Sequence, residues 1–183
     1  GLNSAGQCDV PSPNTGFVAI AAGKGYDYPH SLGLKSDGSI VAWGWNTDGG
    51  ACNVPAPNTG FDAVAGGGAG IYGNHSLGMK SDGSIVAWGS NNYGQCTVPS
   101  PNAGFVAITA GYTHSLGIKS DGSIVGWGSN SRGQCTAPTP NTGFVAVAAG
   151  RGYSMGLKAD GSIIAWGLNS AGQCDVPSPN TGF

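Results

Sequence analysis

Hydrophobic and polar residues alternate in short stretches of this chain. Residues 114–119 read His-Ser-Leu-Gly-Ile-Lys, so Leu116 and Ile118 fall on one face of an extended strand. Alternation with a period of two is typical of a half-buried β-strand. The next residues, Asp121-Gly122 and the run 123–127, predict a tight turn and a return strand, because Gly tolerates the positive φ of a hairpin turn. The stretch therefore predicts an antiparallel hairpin.

The hairpin occurs four times. Copies of the string Leu-Lys-Ser-Asp-Gly-Ser-Ile-Val-Ala-Trp-Gly occupy residues 34–44, 79–89, 118–128 and 157–167. A second string begins Gly-Phe-Val-Ala at Gly16, and its copies begin at Gly60, Gly104 and Gly143. It predicts one further strand before each hairpin, and Gln134-Cys135-Thr136 is a candidate for a short fourth strand.

Three or four strands within about 40 residues make one antiparallel blade, and blades at this spacing predict a propeller or a related stacked array. We therefore predict an all-β fold of four blades, arranged as an open or superhelical array or as part of a larger propeller. The predicted repeats are 18–61, 62–105, 106–144 and 145–183, and residues 1–17 form a partial repeat.

A Gly recurs in the middle of the second strand of every unit. These residues are Gly33, Gly78, Gly117 and Gly156. Gly in a strand interior weakens the sheet unless something approaches the backbone closely. We expect that approach to come from the backbone of a neighbouring blade.

Composition excludes several classes of protein. Charged residues make up 9% of the chain and all nine acidic residues are Asp. Coiled coils and helical bundles need many Glu, Lys and Arg to solvate their exposed faces, so a helical fold is excluded. Seven basic residues and a net charge of -2 give no electrostatic basis for binding nucleic acid or anionic membranes. No apolar run is long enough to span a bilayer.

The motif at residues 30–44, His-Ser-Leu-Gly-Leu-Lys-Ser-Asp-Gly-Ser-Ile-Val-Ala-Trp-Gly, resembles the regulator of chromosome condensation repeat family. In other copies it is followed by Asn and then Gly-Gln-Cys, which resembles most closely a short-repeat bacterial branch with a secreted inhibitor of β-lactamases. The resemblance covers essentially the whole chain. It implies antiparallel blades around an axis and a binding platform rather than a catalyst. Those relatives close a ring of seven blades, whereas this chain has four complete units.

The two ends of the chain carry the same sequence. Residues 1–17 are identical to residues 167–183, whereas the internal copies 90–105 and 129–144 differ at several positions. One explanation is that the chain is a window from a longer array whose units propagate head to tail, because a heterologous contact that does not close produces a filament. The other is a recent duplication that leaves a redundant end. We favour the first.

The residue types that could carry chemistry are mostly explained by the repeat. Cys8, Cys52, Cys96, Cys135 and Cys174 share one repeat position without a Cys-x-x-Cys arrangement. Buried free thiols are the expected state; disulfides between units or chains and a metal site are the alternatives. His30, His75 and His114 also share one position, where the fourth unit has Tyr153, and we interpret them as structural. We expect no catalytic residues, no metal and no cofactor.

Aromatic residues outside the repeated pattern are the candidate partner-binding residues. They lie in or next to the loops between the first and second strands, or just after a third strand: Tyr26, Tyr28, Trp45, Tyr72, Tyr112 and Tyr153. These loops should emerge on one face, and Tyr and Trp give large contact areas at low entropic cost. The alternative is that they cover neighbouring blades.

The sequence thus predicts a non-enzymatic repeat protein, extracellular or at the cell surface, that acts as a structural or interaction scaffold. Its predicted partner is another copy, bound head to tail through the duplicated ends into a filament, or another protein. The alternative is a discrete propeller that captures or inhibits a protein partner through the aromatic loops.

Overall fold

The computed structural model describes residues 3–24, 29–47, 49–68 and 73–180. This part of the chain contains twelve β-strands and no helix, so nothing in it forms a helix long and apolar enough to cross a membrane. The strands are β1 (Phe17–Ala22), β2 (His30–Lys35), β3 (Ile40–Gly44), β4 (Phe61–Gly68), β5 (Asn74–Lys80), β6 (Ile85–Gly89), β7 (Phe105–Ala110), β8 (His114–Lys119), β9 (Ile124–Gly128), β10 (Phe144–Ala149), β11 (Tyr153–Lys158) and β12 (Ile163–Gly167).

The strands form four separate antiparallel sheets of three strands, which confirms the predicted all-β blades. Blade 1 is β1–β3, blade 2 is β4–β6, blade 3 is β7–β9 and blade 4 is β10–β12, and in each the second strand lies in the middle. The second and third strands are joined by the predicted Asp-Gly turn. In blade 1, Asp37 Oδ1 accepts hydrogen bonds from Ser39 N at 2.9 Å and Ser39 Oγ at 2.6 Å, and Gly38 has a φ of +77°.

The predicted fourth strand is not formed. Gln134 to Thr136 lie in turns, as do the equivalent residues of the other linkers within the described ranges. The repeating unit is therefore a three-stranded sheet followed by a linker.

The mid-strand glycines make room for a ring rather than for a neighbouring backbone. A Cβ at Gly117 would lie 2.6 Å from Cδ1 of Phe105, the first residue of the same blade, and the other three positions meet the equivalent Phe. A register shift directly after this Phe turns its ring back over the second strand. The predicted close approach is correct, but its source is a side chain of the same blade.

The core lies between the blades. Leu77 and Ile85 of blade 2 pack against Phe105 and Trp127 of blade 3, and all four are at most 5% exposed. The interfaces between blades 1 and 2 and between blades 3 and 4 use the equivalent positions. First strands of adjacent blades also contact one another. Among the described residues, the strands of blades 1 and 4 do not pack against each other in this way, so the row is not closed into a ring.

Candidate functional site

The linker before each blade is fixed to that blade through one backbone carbonyl. In the linker before blade 3, the carbonyl oxygen of Gln95 accepts hydrogen bonds from Ser115 Oγ at 3.0 Å and Trp127 Nε1 at 2.9 Å. The carbonyls of Gln7, Ala51 and Gln134 accept the equivalent pairs in blades 1, 2 and 4. The repeated Ser and Trp therefore join a linker to the blade that follows it.

The same linker is also attached to the blade that it leaves. Asn102 Oδ1 accepts from Ile85 N, and Asn102 Nδ2 donates to Ile85 O, both at 2.8 Å. Asn58, Asn141 and Asn180 form the same pair with Ile40, Ile124 and Ile163. Each internal linker therefore fastens two consecutive blades together.

The three histidines connect neighbouring blades. Nε2 of His30, His75 and His114 lies 2.8, 3.1 and 3.0 Å from the Oγ of Ser76, Ser115 and Ser154 in the next blade. Each Ser has one hydroxyl hydrogen and donates it to a linker carbonyl, so the His Nε2–H must be the donor in the contact. The structural interpretation of these histidines agrees with their contacts, each of which joins one blade to the next.

Burial disfavours the charged form of these histidines. It lowers the pKa of His30 and His114 to about 4 and that of His75 to about 3, where the neighbouring histidines contribute as well. Protonation would also place a hydrogen on Nδ1, and in all three residues the buried Nδ1 has no hydrogen-bond partner among the described atoms. The blades are therefore joined by neutral imidazoles.

Blade 1 exposes the face that the other blades bury against their predecessor. Ile20 is 82% exposed, whereas its counterparts Val64, Ile108 and Val147 pack into the three inter-blade clusters. Val10 is 42% exposed. Together with Phe17 and Trp43 these residues line an apolar groove of about 520 Å³. We call this surface the N-terminal face.

Blade 4 exposes the opposite, complementary face. Met155, Leu157 and Ile163 are half-buried, whereas their counterparts in blade 3, Leu116, Ile118 and Ile124, are at most 4% exposed. The three side chains and Ala148 line a shallow groove of about 170 Å³. We call this surface the C-terminal face. Sequence reasoning missed both faces, although each is the first or last member of a repeated series of apolar positions.

The predicted aromatic binding residues are only partly within the described chain. Tyr26, Tyr28 and Tyr72 lie outside the described residues. Trp45 is half-buried in the linker after β3, and its carbonyl accepts a contact from Cys52 Sγ at 3.6 Å. The other two candidates, Tyr112 and Tyr153, belong to blades 3 and 4.

Tyr112 and Tyr153 occupy different kinds of position. Tyr153 is the first residue of β11, in the place of the His, and not in a loop as predicted. Tyr112 does lie in the loop between the first and second strands. The Arg151 guanidinium stacks 5.1 Å from the Tyr112 ring centroid, and the two residues line a pocket of about 200 Å³ with Lys24 of blade 1. Lys24 Nζ donates to the carbonyl of Ala149 in blade 4.

All five cysteines are free thiols. The prediction of burial holds only in part, since Cys8 is exposed and the other four are half-buried. Burial raises the pKa of Cys96 to about 12 and that of Cys52 and Cys135 to about 11. The Cys96 and Cys135 thiols contact carbonyls of their own linkers, Ser90 O at 3.2 Å and Ser129 O at 3.1 Å. These two cysteines lie in turns of the linkers, and their thiol contacts help to hold those turns together.

A model of the Regulator of chromosome condensation (RCC1) repeat matches three consecutive parts of the sequence, residues 70–95, 105–134 and 144–173. These correspond to the second, third and fourth units. No curated protein matches the chain.

Solved structures with similar folds include proteins from plants and yeast. The CRINKLY WD40 ectodomain of the receptor kinase ACR4 from Arabidopsis thaliana is 25% identical with a TM-score of 0.63, over 85% of this chain and 52% of that one. Yeast RCC1 (Prp20), solved with Kap60, is 21% identical with a TM-score of 0.67, over 87% of this chain and 46% of that one. The chain spans about half the length of these structures. The bacterial branch of the resemblance stays a prediction.

Proposed function

Since three consecutive units of this chain are RCC1 repeats, we propose that it is a non-enzymatic interaction scaffold whose two end faces pair head to tail with those of other copies. The observation that carries the proposal is that the N-terminal and C-terminal faces expose the residues that three internal interfaces bury. An apolar face that is regularly buried between identical elements is suited to the same contact between molecules.

The internal interfaces show what the head-to-tail contact would consist of. Ile20, Phe17 and Trp43 of one copy would take the places that Ile108, Phe105 and Trp127 occupy against blade 2. The opposite surface would be supplied by Met155, Leu157 and Ile163 of blade 4, which correspond to the positions of blade 2 that pack against blade 3. Burying large apolar side chains contributes roughly 1.5–3 kcal/mol each, so a contact of this composition can hold two molecules together.

The mass of the protein as a function of concentration tests the pairing. By light scattering, we expect the apparent mass to rise above the 18.1 kDa of one chain as concentration increases. Ile20→Asp should abolish the rise, because it places a charge in the apolar contact. The matched control is Val106→Asp: Val106 is 55% exposed outside the inter-blade clusters, and blade 2 naturally carries Asp62 at this position. A constant mass of one chain, or equal effects of both variants, would contradict the proposal.

We propose an extracellular or cell-surface location for this scaffold. The support is the likeness to a receptor-kinase ectodomain at 25% identity over 85% of the chain. Digestion of intact producing cells with an added protease checks the location: an exposed protein is lost, and an internal one survives until the cells are lysed.

A second candidate function is capture of another protein through the aromatic loops. The observation that favours it is the stacked Tyr112 and Arg151 beside Lys24, which forms a cationic and aromatic pocket from blades that are distant in sequence. Yeast RCC1 (Prp20), which has a similar fold, binds Kap60, and this supports protein partners for the fold. Tyr112→Ala should weaken capture of such a partner and leave head-to-tail association unchanged.

A further inference from the structure

The two identical ends of the chain are docked differently, and this inference about them rests on the head-to-tail pairing proposed above. We define residues 3–14 as the N-terminal segment and residues 169–180 as the C-terminal segment. Each corresponds to an internal linker, which is fixed by a carbonyl to the following blade and by an Asn to the preceding one. Each end segment has only one of these two attachments.

The N-terminal segment has the attachment to the following blade. Its Gln7 carbonyl accepts hydrogen bonds from Ser31 Oγ and Trp43 Nε1 of blade 1, both at 2.9 Å. Lys35 Nζ donates to Pro13 O of the same segment at 3.0 Å. Asn14, which would bind a preceding blade, is exposed.

The C-terminal segment has the attachment to the preceding blade. Asn180 forms the pair of hydrogen bonds with Ile163 of blade 4, at 2.9 and 2.7 Å. Within the described ranges, no Ser or Trp donates to the carbonyl of Gln173. This segment therefore presents the acceptor that a following blade would bind.

The undocked loop already has the docked shape. In the C-terminal segment, Cys174 N donates to Asn169 Oδ1 at 2.8 Å, and Gln173 Oε1 accepts from Ala171 N at 2.9 Å. In the docked N-terminal segment, the equivalent bonds run from Cys8 N to Asn3 Oδ1 at 2.8 Å and from Ala5 N to the Gln7 side chain at 2.9 Å. Little conformational order has to be acquired when the loop docks, which favours binding.

We infer that the C-terminal segment of one copy displaces the N-terminal segment of the next copy from blade 1. Each internal junction holds one linker. After the exchange, Gln173 O accepts from Ser31 and Trp43 of the second copy while Asn180 stays on its own blade. Because the segments are identical in sequence, the incoming segment restores the hydrogen bonds that the outgoing segment breaks. The exchange is of the kind seen in domain swapping, and the net stabilisation comes from burial of the two end faces. The reverse exchange would break the Asn180 pair and leave the Gln173 carbonyl without a donor.

Identical substitutions in the two segments test the exchange, because they have opposite predicted effects. Asn3→Ala removes the acceptor for Cys8 N and weakens the segment that must leave, so association of the full chain should tighten about fivefold, as expected for a hydrogen bond. Asn169→Ala weakens the incoming segment by the same change, so association should weaken about fivefold. The readout is the dissociation constant from light scattering over a concentration series.

A labelled peptide with the sequence of residues 167–183 tests docking on blade 1 without association of whole chains. It should bind the Asn3→Ala protein about fivefold more tightly than it binds the unsubstituted protein. A peptide carrying Ala at the Asn169 position should bind each protein more weakly than the unsubstituted peptide does. If Asn3→Ala fails to fold, Asp9→Ala keeps Asn3 Oδ1 as the acceptor for Cys8 N, removes only the acceptor for Asn3 Nδ2, and should shift both measurements in the same direction by a smaller factor.

The outcomes separate the two proposals. If the chains associate but the two Ala variants change the dissociation constant in the same direction, the exchange is wrong and head-to-tail pairing stands. The same conclusion follows if neither variant changes the dissociation constant, or if Asn3→Ala weakens association and Asn169→Ala tightens it. Peptide capture without association of the chains would contradict pairing while showing that blade 1 accepts the second copy of the segment. Absence of both would contradict both.

Discussion

The interface between blades 2 and 3 and the face at the start of blade 1 contain nearly the same side chains in opposite environments. Phe105 and Trp127 are 3% and 5% exposed inside the first, whereas Phe17 and Trp43 are half-exposed on the second. The strands that carry them have the same length, pairing and register shift. Burial in this fold is therefore determined by the neighbouring blade and not by the strand itself, as expected of repeat proteins.

The internal junctions and the outgoing face of blade 4 also differ in their polar contacts. At every internal junction a neutral His donates a hydrogen bond to a Ser of the next blade, whereas the outgoing face of blade 4 carries Tyr153 at that position. The junctions within the chain and the proposed junction between copies therefore share their apolar packing but differ in their titratable groups.

Acidification should have the largest effect, because it charges all three internal junctions. The pKa of each His in the folded protein lies below the unfolded value of 6.5. The contribution of these histidines to the free energy of unfolding is therefore fully present above pH 6.5 and is lost as the pH falls toward 4. At pH 5 the expected loss is about 2 kcal/mol per histidine. Urea unfolding at pH 7 and pH 5 measures it.

The variant His114→Gln sharpens this test. Its amide can still donate to Ser154 Oγ but does not titrate, so about one third of the pH dependence should disappear. A free energy of unfolding that is equal at pH 7 and pH 5 in the unsubstituted protein would contradict the role of the neutral imidazoles.

Truncating the same Phe inside and at the end should have smaller and unequal effects. Phe105→Ala removes a ring from a closed interface, and we expect a loss of about 3–5 kcal/mol in the free energy of unfolding. Phe17→Ala removes a half-exposed ring that lies over Gly33, and we expect a loss of about 1 kcal/mol in the dilute single chain. Denaturant unfolding at low protein concentration compares the two. Equal losses would show that the ring is stabilised within its own blade.

Much of this arrangement can be predicted from the sequence. The alternation, the Asp-Gly turns and the fourfold return of one string predict the twelve strands and their grouping into blades. The mid-strand Gly predicted a close approach, but the expected partner, a neighbouring backbone, was wrong, because the register shift after Phe105 that turns the ring over Gly117 has no residue signature. The short strand at Gln134 was wrong for a related reason: its carbonyl is used by Ser154 and Trp166 and not by a strand.

The end faces are less predictable from the sequence than the fold. Ile20 and Leu157 are apolar, as are their counterparts in the internal interfaces, so nothing local distinguishes them. The identity of residues 1–17 and 167–183 predicted pairing of the ends without showing which surfaces take part. The aromatic candidates are residues that break the repeat, whereas the end faces consist of residues that follow it.

Mixing two variants that each lack one face tests the central claim most directly. Ile20→Asp blocks the N-terminal face, and Ala148→Asp blocks the C-terminal face at an exposed position. Each variant alone should remain at the mass of one 18.1 kDa chain, and the equimolar mixture should form a complex of two chains and no larger species, because one intact face of each kind remains. Association of either variant alone, or a mixture that stays at the mass of one chain while the unsubstituted protein associates, would contradict head-to-tail pairing.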